Sequence, residues 1–381
     1  MRKRLRLFVA ALFFTSAFIL FGCSDDNDTE YNSVNGWNLG NTLDACTYDT
    51  KANLGLSTER KWGMPVTTES MIKAVAARGF KTIRIPVSWH NHITEGTNYT
   101  IDPAWLSRVK TIVDWSLGSG MKVIINIHHD NLTSSQLSNA YGYTVNTSQT
   151  EQATSKKYIV SIWNQVAGYF KAYDDRLIFE LLNEPRNRDS ANDGFSIPSN
   201  VSSLNGVIAS YEKAALDVIR ATGEKNVSRY VMVAPYAASP DGTAGWSLPS
   251  DSVAGKLIVS VHAYTPYEFC MGSANVNVFS ESHMRSIDRL FDNLDSKYIS
   301  KEIPVIIGET SATDKNNLDE RKRWTTYFYG KAKNMHVPVV LWDNMNTVAT
   351  GGDINSGECH GYFNRNTLQW FFPTLVDEMV K

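Results

Sequence analysis

The chain has 381 residues, with 37 lysines and arginines against 39 aspartates and glutamates and a formal net charge of -2. A balance so near neutrality offers no basic surface to a polyanion, so nucleic acid is not an expected partner. Aromatic residues are plentiful (10 Trp and 17 Tyr), and many fall in segments that read as loops, where exposed rings suit stacking on flat sugar faces.

The N-terminus reads as an export signal. Arg2, Lys3, Arg4 and Arg6 precede an apolar run from Leu7 to Phe21, and Gly22-Cys23 follows directly. Residues 1–22 are therefore expected to be a lipoprotein signal peptide, with Cys23 as the lipidated residue. The polar, acidic run Ser24-Asp25-Asp26-Asn27-Asp28-Thr29-Glu30 makes 23–33 a tether to a bacterial cell surface or outer membrane. Apart from this anchor no membrane contact is expected, because no second stretch is apolar for long enough to span a bilayer.

From Val34 to Lys381 short β-branched runs alternate with helical patterns, the signature of repeated βα units on a parallel sheet. The predicted strands are Asn35–Leu39, Thr82–Val87, Lys122–Ile127, Leu177–Leu182, Tyr230–Val233, Leu257–Val261, Val305–Ile307 and Val337–Trp342. Several are nearly continuous apolar runs, as strands buried on both faces must be. Between them, Met71, Ile72 and Val75 mark one helix. Asp102-Pro103 opens a second that carries Leu106, Val109 and Val113, and Gly118 and Gly120 stop it. Tyr158, Ile162, Val166 and Phe170 stripe a third, and Met284, Ile287, Phe291 and Leu294 a later one. Eight such units in one uninterrupted domain, 34–381, predict an α/β fold, a (β/α)8 TIM barrel. Its long loops, 130–155, 185–203, 235–256, 265–280 and 343–367, would share the C-terminal face, where barrel enzymes keep their active sites.

The polar residues sit where those strands end. Strand two runs out through Arg84 to His90-Asn91-His92, and strand three to His128-His129-Asp130. Asn183-Glu184 closes strand four, His262 and Tyr264 strand six, Glu309 strand seven and Trp342-Asp343-Asn344 strand eight. Six of the eight histidines fall at these ends or in the loop after strand eight, a clustering that packing alone does not explain. Two carboxylates facing each other across a narrow barrel mouth suit cleavage of a glycosidic bond. One protonates the leaving oxygen while the other acts on the anomeric carbon.

The motifs GWNLGNTLDA (Gly36–Ala45), RIPVSWHNH, VIINIHHD, LLNEP, VHAYTPY, IGET and VLWDN occur in order over nearly the whole chain after Asn32. Together they resemble glycoside hydrolase family 5, the cellulase family, and within it the branch of endoglucanases, lichenases and xyloglucanases. The resemblance implies a retaining endo-β-glucanase acting on β-1,4-linked glucan backbones, with a β-glucan polysaccharide as partner, no cofactor and no metal. Glu184 would be the general acid and then base, its pKa raised by burial and by the second carboxylate. Glu309 would be the nucleophile, held by Arg84 and Tyr264. Asn183 would bind the 2-hydroxyl of the reacting sugar, His128 and His262 would hold hydroxyls or position the carboxylates, and Trp342 would form the floor. His90 and Asn41 would be further ligands of that sugar. A monomer is the expected state.

Three alternatives share part of this pattern. His90-Asn91-His92 is an H-x-H, as a metal-dependent barrel hydrolase would carry, but ligands converging around an open position do not emerge. A surface lipoprotein that binds glycans without cutting them would lack one carboxylate. A β-mannanase or glucomannanase would use the same constellation with different loops. Trp62, Tyr141, Tyr143, Trp246, Tyr267 and Phe269 are the loop aromatics that would stack distant sugars, and Cys46 and Cys359 are placed to form a bridge if the sheet closes.

Overall fold

A computed structural model describes residues 35–272 and 274–381. The signal peptide, Cys23 and the tether lie outside the described residues. Eight parallel strands close into a barrel: β1 (Asn35–Asn38), β2 (Thr82–Ile85), β3 (Lys122–Asn126), β4 (Leu177–Glu180), β5 (Val231–Val233), β6 (Leu257–His262), β7 (Val305–Thr310) and β8 (Val339–Leu341). Each pairs with its neighbours in chain order and β1 pairs with β8, so no edge remains open. All eight runs read from the sequence are strands.

The longer helices between them are α1 (Glu69–Arg78), α2 (Pro103–Gly118), α3 (Gln149–Phe170), α4 (Val201–Ala221), α5 (Glu281–Lys297), α6 (Leu318–Asn334) and the closing α7 (Pro373–Val380). Local chemistry starts and stops them. Thr68 caps α1 through the Met71 N–H and Gly79 ends it at φ 118°. Asp102 caps α2 through the Ala104 N–H, with Pro103 in the first turn. The expectation of a helix after every strand fails once. Between β5 and β6 the described residues hold only a 3-10 turn, Tyr236–Ala238, so the chain crosses there as a loop.

Strand alternation divides the buried side chains in two. Trp37, Ile83, Val123, Phe179 and Val259 face outward into the helices. On the opposite parity Ile124, Ile178, Met232, Ile258, Ile306 and Val340 are buried in the barrel interior. Gly36 belongs to this inner layer because a β-carbon there would lie 2.9 Å from Val340 Cγ2. One layer nearer the C-terminal mouth the interior turns polar: Asn38, Arg84, Asn126, Glu180 and Ser260 occupy it, all fully buried. A layer of that kind in a parallel barrel must satisfy its own hydrogen bonds or unfold the core.

Cys46, Cys270 and Cys359 are free and buried, so the conceivable bridge between Cys46 and Cys359 is not made. No helix among the described residues is long and apolar enough to cross a membrane.

Candidate active site

Arg84 on β2 organises the mouth of the barrel. Its Nε donates to Glu180 Oε2 at 2.7 Å, Nη1 to Asn38 Oδ1 at 2.9 Å and to Glu309 Oε1 at 2.7 Å, and Nη2 to Asn183 Oδ1 at 2.6 Å. Nη2 also lies 2.7 Å from Glu180 Oε2, so all five N–H groups of a fully buried guanidinium have partners. Glu180 in turn accepts from Asn126 Nδ2 at 2.9 Å and Ser260 Oγ at 2.7 Å. Glu180 is not among the residues expected from the sequence, although a carboxylate inside the apolar run Leu177–Leu182 is a signal for it: a buried charge needs a partner.

Glu309 reaches this network through an irregularity in its strand. Val261 pairs with Ile307 but His262 pairs with Glu309, which leaves Gly308 as an extra residue on β7. Such a bulge re-aims the side chain that follows it. Gly308 has no room for more, since a β-carbon would sit 3.0 Å from Ser260 Oγ and 3.2 Å from His262 Nε2. Glu309 then accepts from Arg84 on Oε1 and from Tyr264 OH on Oε2 at 3.0 Å.

Glu184, at the end of the β4 segment, shares His262 Nδ1 at 2.8 Å, and the same nitrogen lies 3.6 Å from Glu309 Oε2. One carboxylate oxygen from each glutamate and the imidazole nitrogen lie within 4.8 Å of one another. The three groups therefore titrate as a unit. Burial, opposed by the charges of His262 and Arg84, leaves the Glu309 carboxyl above its ordinary value. His262 is disfavoured as a cation by burial, but Glu309 and Glu184 outweigh that and raise it. Burial pushes Glu184 up as well, yet the hydrogen bond and charge of His262, with Arg186 and His129, outweigh it and leave Glu184 lowered. The expectation of a raised Glu184 in the free site is thus corrected. It neglected the cation that β6 places against this carboxylate.

The floor is built from the two ends of the chain. Trp342 lies parallel to the His128 ring at 5.9 Å. Gly40, in the opening motif, lets it lie there: a β-carbon would meet Trp342 Cζ2 at 2.9 Å and Asp343 O at 2.8 Å. His128 Nδ1 faces Asn126 Nδ2 at 3.1 Å and so accepts, which leaves Nε2–H as its donor. Asn183, with its oxygen taken by Arg84, likewise turns its NH2 group free as a donor.

Asn41, His128, Asn183, Glu184, His262, Tyr264, Glu309 and Trp342 all line one cleft of about 1380 Å³. Arg84 lies beneath it. His90 does not line it. Nδ1 of His90 is 2.6 Å from Asp130 Oδ1, Nε2 is 3.0 Å from Thr47 O, and Tyr48 stacks on the ring, so both nitrogens are spent inside the protein. The expected sugar contact of His90 is corrected accordingly. His92 stacks on Trp105 at 3.6 Å, which parts the two histidines of the H-x-H into separate packing roles. Of the six loop aromatics only Trp62 and Tyr267 line the cleft. Tyr143 and Phe269 are fully buried, Trp246 donates to Glu212 at 3.1 Å, and Tyr141 packs on Tyr99. Phe195, His129 and Glu358 line it too, and no local pattern in the sequence distinguishes Phe195 within its polar loop.

A family model described as cellulase (glycosyl hydrolase family 5) matches residues 44–348. Endoglucanase B of Ruminococcus albus is 38% identical over 352 residues, which cover 91% of this chain and 78% of that protein. Among solved structures, a GH5 family lichenase from Caldicellulosiruptor sp. F32 superposes with a TM-score of 0.83 at 40% identity, covering 92% of each chain. A xyloglucan-specific endo-β-1,4-glucanase from a metagenomic library, in complex with cellotriose, gives a TM-score of 0.80 at 34% identity over 92% of this chain and 96% of that one.

Replacing Glu180 with Ala strands the buried Arg84 cation with one counter-charge fewer. The expected cost is about 3–5 kcal/mol of stability, read by chemical or thermal unfolding. A loss below about 1 kcal/mol would show that the polar layer is not held through Arg84.

Proposed function

We propose that this chain, which belongs to glycosyl hydrolase family 5 and is an endo-β-glucanase, cuts β-1,4-linked glucan backbones by double displacement with Glu309 as nucleophile and Glu184 as acid and base. The observation that carries this reading is the approach of the two carboxylates, whose nearest oxygens lie within 4.8 Å. Retaining enzymes hold their carboxyls about 5 Å apart so that one can attack the anomeric carbon directly; inverting enzymes leave room for a water.

In the first step Glu309 attacks the anomeric carbon as the bond to the leaving oxygen breaks, and that oxygen takes the proton of Glu184. Arg84 and Tyr264 hold both oxygens of Glu309, so its ionised form is kept and aimed. The proton that Glu184 delivers is shared with His262 across 2.8 Å. Neutral sugar filling the cleft expels water and disfavours the imidazolium–carboxylate pair, which returns the proton to Glu184. In the second step Glu184 takes a proton from water, whose oxygen attacks the anomeric carbon and releases Glu309. Asn183, its NH2 group directed by Arg84, donates to the 2-hydroxyl, a contact that strengthens in the transition state.

Glu309→Ala should lower kcat on a soluble glucan by at least about 1000-fold with substrate binding largely kept, and NMR of the wild-type reaction should show the β anomer formed first. Hydrolysis at the wild-type rate, or an inverted first product, would refute the assignment. For the substrate, the open cleft and long loops support soluble chains of mixed-linkage β-glucan and xyloglucan as well as cellulose-type glucan. A panel of these with mannan and glucomannan, products resolved by chromatography, should show the glucans cut faster than mannan; the reverse order would make the enzyme a mannanase.

The pH dependence follows from the shared protons. Glu309 must be ionised to attack and its pKa is raised, so kcat/KM is lost as pH falls through a limb above about 4.3, the ordinary glutamate value. The raised His262 keeps the last proton of the trio, so activity is lost as pH rises through a limb above about 6.5. A pH profile of kcat/KM checks both; an acid limb at about 4 or lower contradicts the raised Glu309.

A further inference from the structure

The loop that leaves β4 carries Glu184 and returns to the cleft ten or so residues after it. It turns on three successive residues in the left-handed region, Asn192 at φ 54°, Asp193 at φ 49° and Gly194 at φ 80°. The first two are of the residue types that, after glycine, enter this region most readily. At the third nothing larger fits, since a β-carbon on Gly194 would lie 2.3 Å from Asn187 O. Three such residues in succession still call for a surrounding structure that holds them.

Asp193 provides that structure. Its carboxylate accepts from Arg186 Nη2 at 2.9 Å and from Arg188 Nε at 3.0 and 3.1 Å, and its carbonyl accepts from Arg186 Nε at 2.8 Å. Arg186 is pinned at its other end as well. Its N–H donates to Asn131 Oδ1, and Nη1 donates to Glu184 O at 3.1 Å while lying 3.6 Å from Glu184 Oε2. The guanidinium also covers one face of Phe195, with its carbon 3.8 Å from the ring centroid. Phe195 is nonetheless 46% exposed and lines the same cleft as Glu184. One cation therefore touches both the carboxylate that reacts and the ring beside it.

We propose that Phe195 is the stacking platform for the departing sugar, and that Asp193, acting through Arg186, is the positioning residue that holds this platform in register with Glu184. The inference rests on the reading of Glu184 as the acid. Trp342 and Asn41 follow β8 and β1 and line the part of the cleft where the sugar that Glu309 attacks would lie. Phe195 comes from the loop that carries the acid, which sets it toward the side from which the leaving oxygen would depart. A guanidinium behind an aromatic ring fixes its tilt and leaves the opposite face to a sugar ring. A sugar seated there brings its glycosidic oxygen to a carboxylate whose own position the same guanidinium restrains. Arg186 makes no bond to the substrate in this arrangement; its effect is transmitted through the two groups it holds.

The test exploits the leaving group. A sugar must be protonated to depart and must occupy the platform; dinitrophenolate needs neither. Phe195→Ala, Asp193→Ala and Glu184→Ala are compared on cellotetraose or a mixed-linkage oligosaccharide and on a 2,4-dinitrophenyl β-cellobioside. Phe195→Ala should lower kcat/KM on the oligosaccharide about 10-fold or more, mainly through KM, while the aryl substrate stays within about 2-fold. Asp193→Ala should show the same selective loss with a share of it in kcat, and Asp193→Asn, which keeps an acceptor for Arg186, should recover part of it. Equal losses on both substrates, or no loss on either, would overturn the proposal and leave the loop as packing. Glu184→Ala separates this from the underlying reading. It should lose about 100-fold or more on the oligosaccharide, with azide restoring turnover of the aryl substrate as the β-glycosyl azide. Failure of that arm would remove the acid assignment, whatever the platform variants did.

Discussion

A single buried cation sets the terms for the rest of the molecule. Arg84 has no exposed surface, and four residues take up its five N–H groups: Glu180 from β4 faces two of them, and Asn38 from β1, Asn183 after β4 and Glu309 from β7 face the others. Taking a guanidinium out of water is favourable only where carboxylates and amide oxygens replace the solvent on every side. The inner layer of an otherwise apolar barrel must therefore be polar at this level, and the strands that supply it must close in one register. Fold and reactive carboxylate are coupled through the same hydrogen bonds.

Around that cation small backbone devices decide where side chains point. The extra residue Gly308 on β7 turns Glu309 into the mouth, and its missing β-carbon gives Ser260 and His262 their space. Gly40 does the same for Trp342 from the other end of the chain. The electrostatics follow from placement. Two carboxylates that close would ordinarily force one to hold a proton. Here His262 stands between them, takes up that role in the free site and leaves Glu184 lowered. Proton delivery is a property of the trio, not of a single residue.

The loops are a separate layer of design. Strand ends rigidly present Glu184, Glu309, His128 and Trp342, while Trp62, Phe195 and Tyr267 come from three different connections and are the exposed rings of the cleft. Rigid chemistry with variable walls is how one barrel serves several polysaccharides, because binding selectivity can change without disturbing the polar layer beneath. The loop after β4 joins the two layers, since the cation that backs Phe195 also touches Glu184.

By itself the sequence determined the eight strands, their order and the start of α2 at Asp102, because apolar periodicity and cap chemistry are local signals. It also determined which residues end each strand, and so placed Asn183, Glu184, His262, Tyr264, Glu309 and Trp342 around one mouth. Only the tertiary structure separated His90 from that group, because its partner Asp130 lies forty residues away and burial decides whether an imidazole is spent on the protein or left for a ligand. Glu180 acquires its meaning only when β2, β3 and β6 bring Arg84, Asn126 and Ser260 to it. The lowered Glu184 and the Phe195 platform belong to the same class. Each depends on a charge supplied across space by another segment, and the strength of such an interaction is set by distance and burial, which no periodicity along the chain encodes.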